Sequence, residues 1–214
     1  QWHHRSEIFD DTLVLGEIGL LSDRNFLEGY YENEFDRQKD VETLGYIQQR
    51  LDNFAWSALV RPQVNDFENT TEWLPRGDLY ALSEPLLGGA LTWSTHTSAG
   101  YAQLRQSVAP LDPTDVFTPI PYFADVGGAV LMSRHELNAP LNLGPVNLVP
   151  YVMGEAAFWS EDLNGDSIDR FVGAAVLRGS MMFTRIFRNV QSDTFNPNGL
   201  AHKIRLEGEY SWLE

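Results

Sequence analysis

The feature that most constrains this chain is a two-residue rhythm near its C-terminus. His202, Ile204, Leu206, Gly208, Tyr210 and Trp212 fall on one side of an extended segment, and Lys203, Arg205, Glu207, Glu209 and Ser211 on the other. Side chains alternate across a strand but wind around a helix, so a helix would mix these two sets. The rhythm continues with weaker contrast from Phe171 to Arg185. There Gly173, Ala175, Leu177, Gly179, Met181 and Phe183 oppose Arg178, Ser180 and Thr184. Leu91 to Leu104 sets Leu91, Trp93, Thr95, Thr97, Ala99 and Tyr101 against Thr92, Ser94, His96 and Ser98. Val146 to Trp159 and Asp125 to Pro140 read as further strands.

Turn residues punctuate these runs. Asp52-Asn53 separates Thr43–Leu51 from Phe54–Arg61. Ser83-Glu84-Pro85 and Gly88-Gly89 separate Trp73–Leu82 from Ala90–Leu104. Asn164-Gly165 lies between the strand ending near Trp159 and the one starting near Ile168, and Asn196-Pro197-Asn198-Gly199 precedes the last strand. With Asp11–Leu21 and Val64–Trp73 added, roughly ten strands are expected, near the length of about 9–11 residues that crosses a bilayer as a tilted strand. Segments 125–140 and 168–188 are longer than a soluble sandwich needs. One stretch departs from the pattern. Ser22 to Arg37 places Leu27, Tyr31 and Phe35 at helical spacing among Asp23, Glu28, Glu32, Glu34 and Asp36, which predicts a short amphipathic helix in a long loop.

No segment makes a membrane-spanning helix. The uncharged windows Pro85 to Leu104 and Leu137 to Gly154 are interrupted by polar residues, adjacent glycines and three prolines. A β-barrel is not excluded, since alternating strands barely register in hydropathy. The chain has 15 Lys and Arg against 30 Asp and Glu, a formal charge of −15. That balance argues against nucleic acid as the main partner and against simple adhesion to anionic lipid surfaces. With no cysteine, disulfides, thiolate metal sites and Cys nucleophiles are excluded. The 43 % apolar content across 214 residues suffices for a folded domain. The opening Gln1-Trp2-His3-His4 and the closing Trp212-Leu213-Glu214 lead us to expect an interior piece or a processed chain.

Candidate chemistry is sparse. Asp162-Leu163-Asn164-Gly165-Asp166-Ser167-Ile168-Asp169 begins like a calcium loop, but its turn glycine is at the fourth place and Gly173 stands where the closing Glu belongs. A polar hairpin tip is the simpler reading. His3-His4 is expected at a frayed end, with side chains on opposite faces; His96, His135 and His202 are isolated on strands. No catalytic, cofactor-binding or metal-binding residue is therefore assigned. Arg134, Arg178, Lys203 and Arg205 suit an anionic ligand or, more simply, pairing with Glu136, Glu207 and Glu209. Trp56, Trp73, Trp93, Trp159 and Trp212 fit either core anchors and sugar platforms or the aromatic girdles of a membrane barrel. The strand-end places of Trp73, Trp159 and Trp212 lean towards girdles. No nucleophile elbow, phosphate loop or dinucleotide fingerprint occurs.

Leu21-Ser22-Asp23-Arg24-Asn25-Phe26-Leu27 and the acidic aromatic stretch to Phe35-Asp36 carry a resemblance. So do Val64-Asn65-Asp66-Phe67, Thr70-Thr71-Glu72-Trp73-Leu74-Pro75-Arg76, Arg134-His135-Glu136-Leu137 and Leu206-Glu207-Gly208-Glu209-Tyr210, in that order. Together they resemble the lipopolysaccharide-assembly outer-membrane protein family, also called organic solvent tolerance proteins, over about residues 20–210. The resemblance implies a segment, residues 1–214, from the middle of one large β-barrel domain in the outer membrane of a Gram-negative-type bacterium. It implies no enzyme and no cofactor. Lipopolysaccharide would arrive over a periplasmic lipid-transport bridge, a plug lipoprotein would fill the lumen, and lipid would leave between the first and last strands. The family's periplasmic N-terminal domain and its cysteines are absent from this sequence, and no gate or plug residue is carried over.

The expected fold class is thus all-β: antiparallel up-and-down strands of a partial outer-membrane-type barrel, with one short helix in a loop. A Lys or Arg on a lipid face costs roughly 2–4 kcal/mol near the midplane, so Lys203 and Arg205 should face the lumen. The alternatives are a soluble secreted β-sandwich that binds carbohydrate, or a β-rich glycoside hydrolase with a convergent carboxylate pair. The face holding Ile204, Leu206, Tyr210 and Trp212 separates them: outward in a barrel, buried against a second sheet in a sandwich.

Overall fold

The computed structural model describes residues 1–9, 11–36, 41–110, 126–191, 194 and 198–213. Its strands are β1 (Trp2–Glu7), β2 (Thr12–Ile18), β3 (Leu44–Leu51), β4 (Phe54–Arg61), β5 (Thr70–Leu86), β6 (Leu91–Arg105), β7 (Gly127–Asn138), β8 (Leu141–Leu143), β9 (Val146–Trp159), β10 (Ile168–Gln191) and β11 (Asn198–Leu213). They pair in the order β1-β2-β3-β4-β5-β6-β7-β9-β10-β11, with β8 beside β9. This is the all-β, antiparallel, up-and-down architecture the alternation calls for. The pairing order runs from β1 to β11 without returning on itself, as in a partial barrel.

Most strands stand where turn chemistry puts them. Asp52 takes a φ of 51° in the tight turn between β3 and β4, where Leu51 faces Phe54. Gly88 and Gly89, with φ of 69° and 90°, close the turn between β5 and β6, a backbone that L side chains resist. The short β8 has no counterpart among the expected strands. It folds back on β9 through Gly144 (φ 64°), pairing Leu143 with Val146. Asp125 and Asn196-Pro197 lie outside the described residues.

Three expectations need correction. Ser83-Glu84-Pro85 is not a turn, because β5 continues through it to Leu86 and the chain turns only at Leu87–Gly89. Val64–Trp73 is not one strand, because the extended backbone begins only at Thr70. Asn65 is instead spent on tying loops together. Its Nδ2 donates to the carbonyls of Gly19 (3.1 Å) and Val41 (3.4 Å), and its Oδ1 accepts the Leu21 N–H at 3.1 Å. The single helix over 22–37 is two short pieces, α1 (Phe26–Tyr30) and α2 (Glu32–Phe35), broken at Tyr31; Arg37 lies outside the described residues. Asn25, not Ser22, stands at the N-cap, while Asp23 accepts the Asn25 N–H.

Contacts cluster into two units, residues 1–82, 95–134 and 155–171, and residues 83–94, 135–154 and 172–214. In the first unit, registers through β1–β5 put Val14, Ile47, Ala58 and Gly77 in one row and Leu15, Tyr46, Leu59 and Arg76 in the next. The face of Ile47 also carries Trp56, Val60 and Leu79. The opposite face carries His3, Glu17, Gln48, Ser57 and Asp78. In the second unit, β10 and β11 place Ala175 with Trp212, Leu177 with Tyr210 and Met181 with Leu206 on one face. Arg178 with Glu209 and Ser180 with Glu207 are on the other.

In the first unit burial is inverted with respect to these faces, whereas in β11 both faces are exposed from Leu200 on. Among the described residues the buried apolar side chains are Val41, Ala81, Ala157, Ala174 and Val176, and no large side chain is fully buried. The buried polar set is longer: Thr12, Glu17, Ser57, Asn65, Glu72, Thr95, Ser98 and Ser107. Ile204, Leu206, Tyr210 and Trp212 are 47, 57, 75 and 59 % exposed. Among the described residues no second sheet covers that face.

Candidate functional site

The polar face of the first unit holds the densest side-chain network. Alternation along β5 points Arg76, Asp78 and Tyr80 the same way, and β6 brings His96 alongside. Arg76 donates to both Asp78 oxygens through Nε (3.0 Å) and Nη2 (2.8 Å), a forked pair. His96 Nε2 lies 2.9 Å from Asp78 Oδ1, and the Tyr80 ring stacks on the imidazole at 4.3 Å. The Asp78 carboxylate is 8 % exposed, so its charge needs these partners. A second cluster sits at the start of β5. There Glu72 accepts from Arg105 Nε (2.7 Å) and from the Gln63 N–H (2.8 Å). Both carboxylates are consumed by structural bonds, an arrangement suited to stiffening a polar wall.

Beside these networks a cleft of about 750 Å³ opens in the first unit, walled by Trp73, Leu104, Val130, Trp159 and Ile168, with Glu161, Asp162 and Asp169 among its lining. An arginine stands over each indole: Arg76 over Trp73 at 4.9 Å and Arg170 over Trp159 at 5.4 Å. Trp159 shares a side of β9 with Glu155, which pairs with Arg170. The girdle expectation therefore fails for Trp159, which lines the cleft. Trp56 and Trp212 do lie on apolar faces, Trp56 donating to Gln49 Oε1 at 3.0 Å. Trp93 stacks on His135 and donates to its Nδ1 at 3.3 Å.

The remaining candidates fall into place as local structure. In the tip between β9 and β10, the Asp162 carboxylate accepts the backbone N–H groups of Asp166 (2.9 Å) and Asn164 (2.7 Å). Those bonds hold its carboxyl below the ordinary carboxylate range. Gly165, at φ 85°, makes the turn. His3 and His4, expected at a frayed end, lie in β1 on opposite faces, His3 against Glu17 at 3.2 Å and His4 stacked on Trp2. Arg178 pairs with Glu209 (2.8 Å) and Arg205 with Glu207, as the simpler reading of these charges has it. Among the described residues, no group of three or more His, Asp or Glu is placed to hold a metal ion, and no helix is long and apolar enough to cross a membrane.

The chain matches no family model and no curated sequence. The Asn65 tie was missed in the sequence because its partners are 24 to 46 residues away. The Trp159 cleft could have been found, because Glu155 and Trp159 share a parity.

Proposed function

We propose that this chain is a strand-bearing part of an outer-membrane β-barrel that helps carry lipopolysaccharide or a related lipid to the outer leaflet, without enzymatic chemistry. The observation that carries the barrel is the inverted burial of the first unit: Glu17 and Ser57 are covered on one face while Val60 and Leu79 stand exposed on the other, as does the Ile204–Trp212 row of the second unit. In water each such side chain, only partly covered, forgoes on the order of 1 kcal/mol, the uncovered share of the roughly 1.5–3 kcal/mol that full burial supplies. In a bilayer the same row faces hydrocarbon, and a closed barrel would satisfy every backbone group. Arg178, Glu207 and Glu209 then point to the lumen, as alternation requires, while Lys203 and Arg205 share their side of β11 but lie beyond the start of β9. The lipid cargo, the plug lipoprotein and the periplasmic bridge rest on the resemblance carried by Leu21–Leu27 and the segments that follow it.

The test is fractionation of the full-length protein. It should leave the membrane only with detergent and migrate differently on a gel before and after heating. Recovery as a soluble monomer would overturn the barrel. Depleting the protein should also reduce arrival of new lipopolysaccharide at the cell surface; unchanged arrival would overturn the transport role. One observation favours the carbohydrate-binding alternative, the cleft between Trp73 and Trp159. Oligosaccharide titration followed by tryptophan fluorescence decides it, and a saturable change lost in Trp159→Ala would support that reading instead.

A further inference from the structure

β10 is 24 residues long and β9 only 14. β9 begins at Val146, and its Leu148 reaches the position of Gly179, whose added Cβ would lie 3.7 Å from the leucine. Past Met181, therefore, β10 runs beyond the start of β9, and among the described residues its strand partner there is β11 alone. Its pairs run from Met181 with Leu206 to Phe187 with Leu200, and Gln191 pairs with Asn198 beyond a register shift. A bare two-stranded ribbon is marginal in water.

The composition of this ribbon differs from the rest of the sheet in two ways. First, large apolar side chains are exposed on both of its faces. Phe183, Leu200 and Ile204 are 49, 52 and 47 % exposed on one; Met182 and Ile186 are 53 and 62 % exposed on the other. Second, in a chain of formal charge −15, positions 181–206 carry Arg185, Arg188, Lys203 and Arg205 against the single acid Asp193. Arg205 pairs with Glu207, just past the ribbon, and Arg185 lies over the Phe187 ring at 4.8 Å.

We infer that this ribbon is a docking surface for a lipid interface bearing anionic headgroups. Apolar side chains enter the acyl boundary while the Arg and Lys stems lie along them and hold their charges at headgroup level. The two-sidedness selects the partner. A protein would cover one face and leave the other apolar row in water, whereas a lipid interface surrounds a projecting ribbon on both. The charge fits the same partner, since a neutral interface would leave the cations uncompensated. This goes beyond the transport reading and does not require it.

The chain has no cysteine, so Ile186→Cys gives a unique place for an environment-sensitive fluorophore on the protein folded in detergent. On reconstitution into phosphatidylcholine–phosphatidylglycerol vesicles, the probe should shift to the blue. It should be quenched more by brominated phosphatidylglycerol than by brominated phosphatidylcholine. Reversing Arg185→Glu and Lys203→Glu should abolish the preference, with vesicle partitioning falling about fivefold for each cation lost. A probe at Leu163→Cys, on the acidic hairpin tip, should show no such preference. A missing shift, equal quenching by the two lipids, or a shift with polyglutamate but not with vesicles would each overturn the inference. If the protein proves a soluble monomer, the barrel falls but the inference stands where added anionic vesicles still shift the Ile186 probe. Unchanged circular dichroism in the double reversal separates lost binding from lost folding.

Discussion

Asn65 sits where three loops meet, and its amide is the only side chain whose donor and acceptor together serve Gly19, Leu21 and Val41 among the described contacts. Asn65→Ala leaves those backbone groups unsatisfied and should cost about 2 kcal/mol in urea unfolding of the refolded protein. Gly19→Ala attacks the same junction from the other side, since the new Cβ would fall 2.2 Å from Val41 Cγ1. It should destabilise comparably, whereas Gly45→Ala meets nothing within 4 Å and should not. Asp162 offers a pH readout. Its folded carboxyl lies below the ordinary range because the Asp166 and Asn164 N–H groups bond the charged form. The stability it lends the tip is therefore fully present above the ordinary carboxylate value and is lost as pH falls through the lower, folded one. Amide exchange at Asp166 should accelerate, relative to its intrinsic rate, across that acid window and be fast throughout in Asp162→Ala. These two residues also show what was legible. The Asp162 turn reads directly from Asp162-Leu163-Asn164-Gly165, because its bonds span at most four residues. The Asn65 tie does not, because nothing local marks a residue for partners so far along the chain.

At the scale of the strand, alternation carried most of the fold. β9 begins and ends where the pattern predicts, and β11 shows the expected two faces. The failures have local causes. Val64–Trp73 has strand-like composition, yet Asn65 and Glu72 divert their polar groups into ties that leave no ladder before Thr70. The helix over 22–37 breaks at Tyr31, two residues after Gly29, a poor helix former. Nearness to a strand end suggests a girdle place for Trp159, whereas its parity with Glu155 puts it on the polar side. The two faces of β10 allow a direct comparison. Leu177→Lys introduces a charge into the apolar row opposite Tyr210, and Ser180→Lys introduces one opposite Glu207. In bilayer-refolded protein the first should cost roughly 2–4 kcal/mol and the second close to nothing. Equal costs measured by denaturant titration would contradict a lipid-facing row.

For the molecule as a whole, the exposed apolar faces and the outer edges of β1 and β11 predict self-association of the isolated chain in buffer without detergent. Sedimentation velocity should show large assemblies that detergent disperses, and a stable monomer without detergent would speak against unsatisfied faces and edges. The opening numbers also change meaning at this scale. A 43 % apolar content looks like a soluble domain's, yet in the sheet that content lies largely on exposed rows. The inverted burial has a thermal consequence as well. The heat-capacity increment of unfolding comes from apolar surface passing from a dry interior into water, about 12–15 cal/mol/K per residue in ordinary domains. A sheet whose described residues include no fully buried large side chain exposes little new apolar surface to water when it melts within detergent or lipid. Its calorimetric step should be small, and its stability should change almost linearly with temperature, without the cold-side downturn that a wet-to-dry core imposes.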